Sequence, residues 1–537
     1  MEKEKAEPAK PYCDTSSIDP IRRQVEERIA AEAEEPASKC SGKSEAWDPA
    51  KDDEFLRSCL YEEELGDGLV YASIHQGRFV FNGSSGAWMT YNGLRWEEDL
   101  CDRALAAVED VADTYRGFAG RCADKIKSAS QANIPAEKII QEAERDLKRA
   151  LKRVNKLHTD RGRCTALKFS RSNKQLSLAV TGEEFDRDQW LLVCANCVLD
   201  TRLGEPVKAR PEQMLSKASQ VEWKGIKTQC PTWEQFLWEV FEGNQEVISF
   251  VRRLLGYCIT GVTRENVFPV FWGAGRNGKG TIIEVMKYVL TNYAGPVQSE
   301  MLMDQGRGRS AAGPSPDIML LRGLRLAYAS ETDRGGRFST ARVKWLTGSD
   351  SLVGRWPHDR RPVTFRPTHK LILLTNNRPS APPDDFAFWE RAALVPFRLS
   401  FVDREPVAEN ERRADLQLFD KLIKEASGII AWLVLGCLEW QEVGLRIPEV
   451  VKNATIEYRS DNDFLSEWIE DRCLTDNPEA STRSGVLYQD FESWFQANWS
   501  QKVPSPVRFS KMLRTRFKKG SDTANCRIFN GIHLRQT

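Results

Sequence analysis

The run Phe271-Trp272-Gly273-Ala274-Gly275-Arg276-Asn277-Gly278-Lys279-Gly280-Thr281 constrains this chain more than any other stretch. Apolar residues lead into a glycine, four residues follow, and Gly278-Lys279 then opens a segment of helical pattern. A loop that wraps a polyphosphate must aim successive backbone N–H groups inward, which requires the positive φ that glycine adopts freely. A lysine is needed because its long cationic side chain reaches the terminal phosphates, and the following helix adds the partial positive charge of its N-terminus. The spacing therefore predicts a strand, a phosphate-binding loop and a helix, with residues 273–281 contacting a nucleoside triphosphate such as ATP.

The residues downstream extend that reading. Leu324 to Ser330 has the pattern of a strand and runs into Glu331-Thr332-Asp333, an acidic end suited to holding Mg²⁺ and polarising an attacking water. Leu371 to Leu374 is a further strand, ending in Thr375-Asn376-Asn377, where an amide can sense the terminal phosphate. Arg391 precedes the apolar run Ala392 to Phe397, a position from which an arginine can act on a neighbouring subunit's nucleotide. Each feature alone is ordinary strand-end chemistry. Their order at the ends of successive strands is what points to one site.

Charge and composition set outer limits. Lys+Arg and Asp+Glu both number 77, so net charge says nothing about partners and local charge must be read instead. The 13 cysteines are scattered apart from Cys194-Ala195-Asn196-Cys197, and with 5 histidines no zinc ligand set is spelled out. The N-terminus Met1-Glu2-Lys3-Glu4-Lys5 is charged, and the most apolar segment, Gly428 to Leu438, is too short to span a bilayer. These features predict a cytoplasmic protein with no membrane association.

Read along its length, the chain divides as follows. Residues 1–54 have the composition of a disordered tail, and 55–228 read as an α+β domain. That domain contains a meander of short strands between Leu69 and Trp96 with turns at Asn82-Gly83 and Asn92-Gly93. A helical segment spans 229–265, an α/β core 266–405, and further helices 406–460. Residues 461–537 mix helices with a closing strand pair.

The set of motifs, Gly-x4-Gly-Lys, Ser330-Glu331-Thr332, Lys344-x2-Thr347-Gly348-x-Asp350, Thr375-Asn376-Asn377 and Arg391, resembles superfamily 3 DNA helicases of the phage and plasmid primase-linked type, the group that includes the poxvirus primase-helicase. Outside the core, Val198-Leu199-Asp200-x3-Gly204-Glu205, Cys230-Pro231-x-Trp233, Leu255-Gly256-Tyr257, Gly428-Ile429-Ile430-x-Trp432 and Gly444-Leu445-x2-Pro448 are similar to the same group. The resemblance implies an AAA+-like P-loop ATPase core with a preceding α+β domain, flanking helical segments and a winged-helix-like C-terminal domain. It implies an ATP-dependent helicase or translocase that forms a ring, as a hexamer, on single-stranded or forked DNA.

Residue by residue, the resemblance makes Gly273, Ala274, Gly275, Arg276, Asn277, Gly278, Lys279, Gly280 and Thr281 the nucleotide loop. Glu331 is the catalytic acid, with Asp333 second; Asn377 is the sensor, with Asn376 second; Arg391 is the finger. Mg²⁺ falls to Glu331 and Thr281, because Gly280 stands where the pattern usually has a hydroxyl. The segment Val353 to Phe365 reads as a hairpin with a basic and aromatic tip, which makes Arg355, His358, Arg360 and Arg361 DNA-contact candidates. From Gln501 to Gly520 a run of cations without acids, with Phe509, Leu513 and Phe517 at helical spacing, predicts an amphipathic helix carrying Lys511, Arg514 and Lys518 to DNA. About 65 residues precede the matching region, too few for a polymerase fold, so priming is expected from a separate primase or polymerase chain. The competing readings are an ATP-switched DNA-binding initiator or scaffold with little unwinding, a primase-helicase acting alone, and, last, a small-molecule kinase.

Overall fold

The computed structural model describes residues 47–131, 137–306, 313–330, 336–357, 362–498, 503–514, 516–521 and 526–535. Most of the expected tail, and the candidates Glu331, Asp333, His358, Arg360 and Arg361, lie outside the described residues.

The first unit is α+β. Helices Asp53–Tyr61 and Glu64–His75 precede a three-stranded antiparallel meander, Phe79–Asn82, Ala87–Tyr91 and Trp96–Glu98. Leu69 itself is helical, so the strand pattern begins ten residues later than the alternation suggested. Both Asn-Gly turns carry four-residue loops, since Asn82 pairs with Ala87 and Tyr91 with Trp96. The positive φ falls on Gly86 and Gly93, and Asn92 Oδ1 accepts from the backbone N–H groups of Leu94 and Arg95. The long helices Val108–Ser130 and Glu137–Leu157 then pack against each other, tied to the first helices by the buried Arg153–Asp67 pair. A small antiparallel sheet, Leu191–Val193, Val198–Asp200 and Glu205–Val207, closes the unit.

Helix Gln245–Tyr257 and helix Ala426–Val443 bring the segments on either side of the core together. Their backbones touch at Gly256 and Gly436. A Cβ on Gly256 would overlap Gly436 and Cys437 backbone atoms, and one on Gly436 would overlap Arg252 O. Only glycine permits so close an approach, which explains two glycines inside helices where each costs stability relative to alanine.

Between these helices in the sequence lies the sheet that positions the candidate site. Its strands are β1 (Phe268–Trp272), β2 (Ala294–Val297), β3 (Leu326–Ser330), β6 (Lys370–Thr375) and β7 (Ala392–Pro396); a separate hairpin, β4 (Leu352–Gly354) with β5 (Val363–Phe365), is inserted after β3. The sheet is wholly parallel, in the order β7-β1-β6-β3-β2. β1, β3, β6 and β7 are near-continuous apolar runs because helices cover both faces. Helix α1 (Lys279–Leu290) follows β1, and the short helix α2 (Phe386–Trp389) precedes β7. Buried cations fasten the opposite, N-terminal edge of the sheet. Arg325, before β3, donates to Ile259 O and Leu191 O, and Lys370, opening β6, donates to Thr260 O.

The last unit is built on helices Phe464–Arg472, Ser484–Asn498 and α3 (Pro506–Leu513). A three-stranded antiparallel sheet joins them, Ser481–Arg483, Arg527–Asn530 and Lys519–Ser521 in that spatial order. Trp468, Phe491 and Phe509 form its core, with Phe491 and Phe509 stacked at 4.6 Å. The expected cationic helix is shorter than its periodicity suggested. Ser505 caps it and Pro506 starts it, but it ends at Leu513; Phe517 N–H bonds Leu513 O, which turns the chain so that Phe517 packs on the core. Lys518 therefore leads into a strand instead of continuing the helix. Arg516 is held by Asp463 at 2.6 Å and Ser466 at 2.6 Å, a tie within the unit.

Candidate nucleotide site and nucleic-acid surfaces

The loop Gly273–Gly278 leaves the carboxyl end of β1, between β6 and β7, where ligands of parallel sheets gather. Gly275 at φ 110°, Arg276 at φ 48° and Gly278 at φ 87° give the loop its curl. A Cβ on Gly273 would overlap Phe397 O and the Asn277 amide, so the glycine there is forced by packing. Above Gly275 the space is open, with nothing within 4 Å of a Cβ built there. The tip is pinned from outside by Phe401 N–H, which donates to Arg276 O at 2.6 Å.

Lys279 is the first residue of α1 and is only 5% exposed. Its ammonium donates to Gly273 O at 2.7 Å, Asn277 Oδ1 at 3.0 Å and Asn376 Oδ1 at 3.1 Å. All three acceptors are neutral. Burial accordingly pushes the Lys279 ammonium down to about 8, and among the described residues no carboxylate offsets the lost hydration. A buried cation with neutral partners at a helix N-terminus gains most from a polyanion.

The amide that reaches Lys279 is that of Asn376, the second-ranked candidate by spacing. Asn377, ranked first, has its backbone N–H on Thr375 Oγ1 at 3.1 Å, and Thr375 Oγ1 donates back to Asn377 O. Thr375 pairs with Trp272 across the sheet, so Asn376 is the first residue beyond β6 and the one brought over the loop. Spacing alone did not separate two adjacent asparagines; the contact with Lys279 is made by Asn376.

Gly280 is not imposed by crowding, since nothing lies within 4 Å of a Cβ built on it. Thr281 follows in the first turn of α1, half-buried, and among the described residues its hydroxyl makes no hydrogen bond. β3 ends at Ser330, which pairs with Leu374 beside the site; the acid expected next, Glu331, is outside the described residues. No cluster of three or more potential metal ligands occurs among the described residues.

Arg391 is not near this loop. It precedes β7 at the sheet's opposite edge, its carbonyl accepting from Phe268 N–H at 2.6 Å. The five residues of β1 separate that level from Gly273, roughly 16 Å at strand spacing. Its Nη1 bonds Ala387 O at 3.0 Å, while among the described residues its buried Nε has no hydrogen-bond partner.

The expected hairpin is present. β4 and β5 pair antiparallel, Gly354 opposite Val363, and Trp356 near the tip is 40% exposed. Arg355 is anchored through its backbone, its N–H on Ser315 Oγ at 3.1 Å and its carbonyl accepting from Ser315 N–H at 2.9 Å. In the C-terminal unit Lys511, Arg514 and Lys518 are exposed. Lys519 is held below the usual lysine range, chiefly by the Arg514 charge and also by Arg527, which shows these cations crowding one patch.

Comparison with known proteins places the chain. Residues 69–242 match the family model described as "D5 N terminal like". The chain is 25% identical over 359 residues to "Putative helicase L207/L206" of Acanthamoeba polyphaga mimivirus, covering 64% of this chain and 37% of the relative. It is 27% identical over 239 residues to "Putative helicase 022R" of Frog virus 3 (isolate Goorha), covering 43% and 24%, respectively. By these matches the chain is similar to primase-linked helicases. It spans 24% to 39% of the length of the first three curated relatives it matches, the third being "Putative helicase 184R" of Invertebrate iridescent virus 6, at 22% identity over 388 residues and 66% of this chain. A solved structure of the NrS-1 C-terminal region aligns over 62% of this chain and 88% of that one at 12% identity, with a TM-score of 0.34, too low to bear on the fold. No helix among the described residues is long and apolar enough to cross a membrane.

Proposed function

We propose that this chain is an ATP-driven, ring-forming DNA helicase or translocase of superfamily 3, with an AAA+-like core and a winged-helix-like C-terminal unit, acting in replication of a phage, prophage or plasmid. The observation that carries the reading is Lys279. Its ammonium is buried at the N-terminus of α1, between a curled glycine loop and the Asn376 amide, and among the described residues its acceptors are all neutral. That environment fits a triphosphate, whose charge replaces carbonyl and amide oxygens as the partner of the lysine.

Residues 273–281 would hold the phosphates, and Thr281 with Glu331 would hold Mg²⁺, a metal that commonly keeps waters and phosphate oxygens as its remaining ligands. Bound there, ATP and its metal supply phosphoryl-transfer chemistry whose charge is stabilised by fixed cations and N–H groups. Within the chain, Lys279 and the loop N–H groups bind and orient. Glu331 accepts a proton from the attacking water, and Asn376 positions that water; Asn377, the alternative sensor, neighbours it. The separation of Arg391 from its own loop supports action on an adjacent subunit, the arrangement of a ring with nucleotide between protomers.

DNA contact is assigned to the hairpin, through Arg355, His358, Arg360 and Arg361, and to Lys511, Arg514 and Lys518. The test combines strand displacement on forked DNA with ATP turnover, using wild-type, Lys279→Ala and Arg391→Ala proteins alone and mixed. Turnover lost in each variant, with subunit poisoning or interface complementation in mixtures, is the expected outcome. Activity that tracks only the fraction of untouched subunits would sink the ring. Turnover without displacement would favour the initiator or scaffold reading.

A further inference from the structure

A cavity of about 430 Å³ lies where the C-terminal unit meets the core, and its charged lining is unbalanced. From the C-terminal unit, Arg508 and Lys511 of α3 line it; from the core come Arg337 and a single acid, Asp384. Among the described residues none of the three cations makes a side-chain hydrogen bond or an ion pair within 4.0 Å. Arg508 shows the consequence: loss of hydration and the facing Arg337 both hold its guanidinium below the usual arginine range, with Asp384 and Asp304 offsetting this only in part. Asn462, also on the wall, is already spent, its Oδ1 accepting from Ala381 N–H at 3.2 Å and its Nδ2 donating to Tyr458 O.

Three cations from two units face one space against a single lining acid, Asp384, and the excess positive charge repels until an anion enters. We propose that this cavity is a phosphate site, and that its ligand is the phosphodiester backbone of one DNA strand passing between α3 and the core. The proposal rests on the DNA-binding reading above and adds to it a place and a strand state. A helix with its cations free in solvent suits a duplex groove. Arg508 and Lys511 are exposed on α3 yet also line a cavity of only about 430 Å³ shared with the core, a space that takes one strand's phosphates and not a double helix. The wall contributed by the core, Ser380 to Asp384, begins four residues after Asn376, so the strand would sit on the segment that leaves the nucleotide site.

The test is binding of a labelled oligothymidylate and of a blunt duplex, each across a potassium chloride series, to wild-type, Arg337→Gln, Arg508→Gln, Lys511→Gln and the charge-keeping Arg508→Lys proteins. Each glutamine variant should bind the single strand about tenfold more weakly, as expected for one charge-assisted hydrogen bond. Each should also lower the slope of log affinity against log salt by about 0.7 for every phosphate that is no longer neutralised. Arg508→Lys should restore the slope, and the duplex should be little changed. Equal loss on duplex and single strand would overturn the assignment, because α3 would then be reading a duplex outside the cavity. So would unchanged strand binding in variants that lose only protection by inorganic phosphate, which would mark a site for a free anion. ATP turnover is measured alongside. A wild-type protein that binds no DNA refutes the DNA-binding reading itself, whereas wild-type binding with unaltered variants refutes this site alone.

Discussion

Replacing Lys279 with methionine separates the two things the lysine does, which are to bind phosphate and to carry a charge that the fold resists. Burial lowers its value from 10.5 to about 8, and at about 1.4 kcal/mol per unit this corresponds to roughly 3 kcal/mol of destabilisation below pH 8. The sign follows from proton counts. Between pH 8 and 10.5 the unfolded chain holds the proton and the native one does not, so native stability rises with pH across that window. The penalty is full at pH 7 and absent above 10.5. Methionine removes it but leaves Gly273 O and the two amide oxygens without their donor, at about 1–3 kcal/mol in total where they stay dry. The balance predicts a variant core that is equal to or more stable than wild type by about 1 kcal/mol at pH 7, roughly 3 °C in Tm for a domain of this size. The advantage should shrink as pH rises from 8 towards 10.5. Calorimetry reads both effects on the transition that an ATP analogue raises in the wild-type protein. At a hundredfold excess over Kd the analogue adds about 2.7 kcal/mol to wild type and nothing to the variant. A methionine variant more than about 1 kcal/mol less stable at pH 7 would refute the reasoning. It would mean that the ammonium's hydrogen bonds outweigh its lost hydration, and that the loop is satisfied without phosphate.

Asn376→Ala should lower ATP turnover about a hundredfold or more, the scale of losing one preorganised polar group, and Asn377→Ala should cost less; comparing kcat for the two checks which amide serves the site. Arg391→Ala should leave ATP-analogue affinity unchanged while reducing turnover by about 10³ or more, measured by equilibrium binding beside steady-state hydrolysis. Gly280→Ser should fold like wild type, because its Cβ meets nothing within 4 Å; a Tm within about 1 °C of wild type and undiminished turnover are the expected results. Gly436→Ala should destabilise the core by about 1–3 kcal/mol, since its methyl group would overlap the Arg252 carbonyl and Cγ, and a chemical denaturation midpoint reports it.

What was legible in the sequence is what local chemistry determines. Gly273, Gly275, Gly278 and Lys279 announce the loop because few other uses need glycines and a lysine at that spacing, and the apolar runs of β1, β3, β6 and β7 announce buried parallel strands. The β4–β5 hairpin was legible for the same reason. The errors came where distant contacts override local pattern. Phe517 keeps helical spacing with Phe509 and Leu513, yet the helix stops at Leu513, because packing on the core settles a terminal turn that propensity leaves nearly neutral. Leu69 alternates like a strand but is buried in a helix. The cavity was illegible for a stronger reason. Arg337 sits in no motif, and Arg508, within the cationic run Gln501 to Gly520, is 171 residues away in the sequence. Their repulsion exists only once the two units meet. Phosphate loops can be written in eleven consecutive residues because the backbone itself is the ligand, whereas a site assembled from side chains of two units leaves no trace until the fold brings them together.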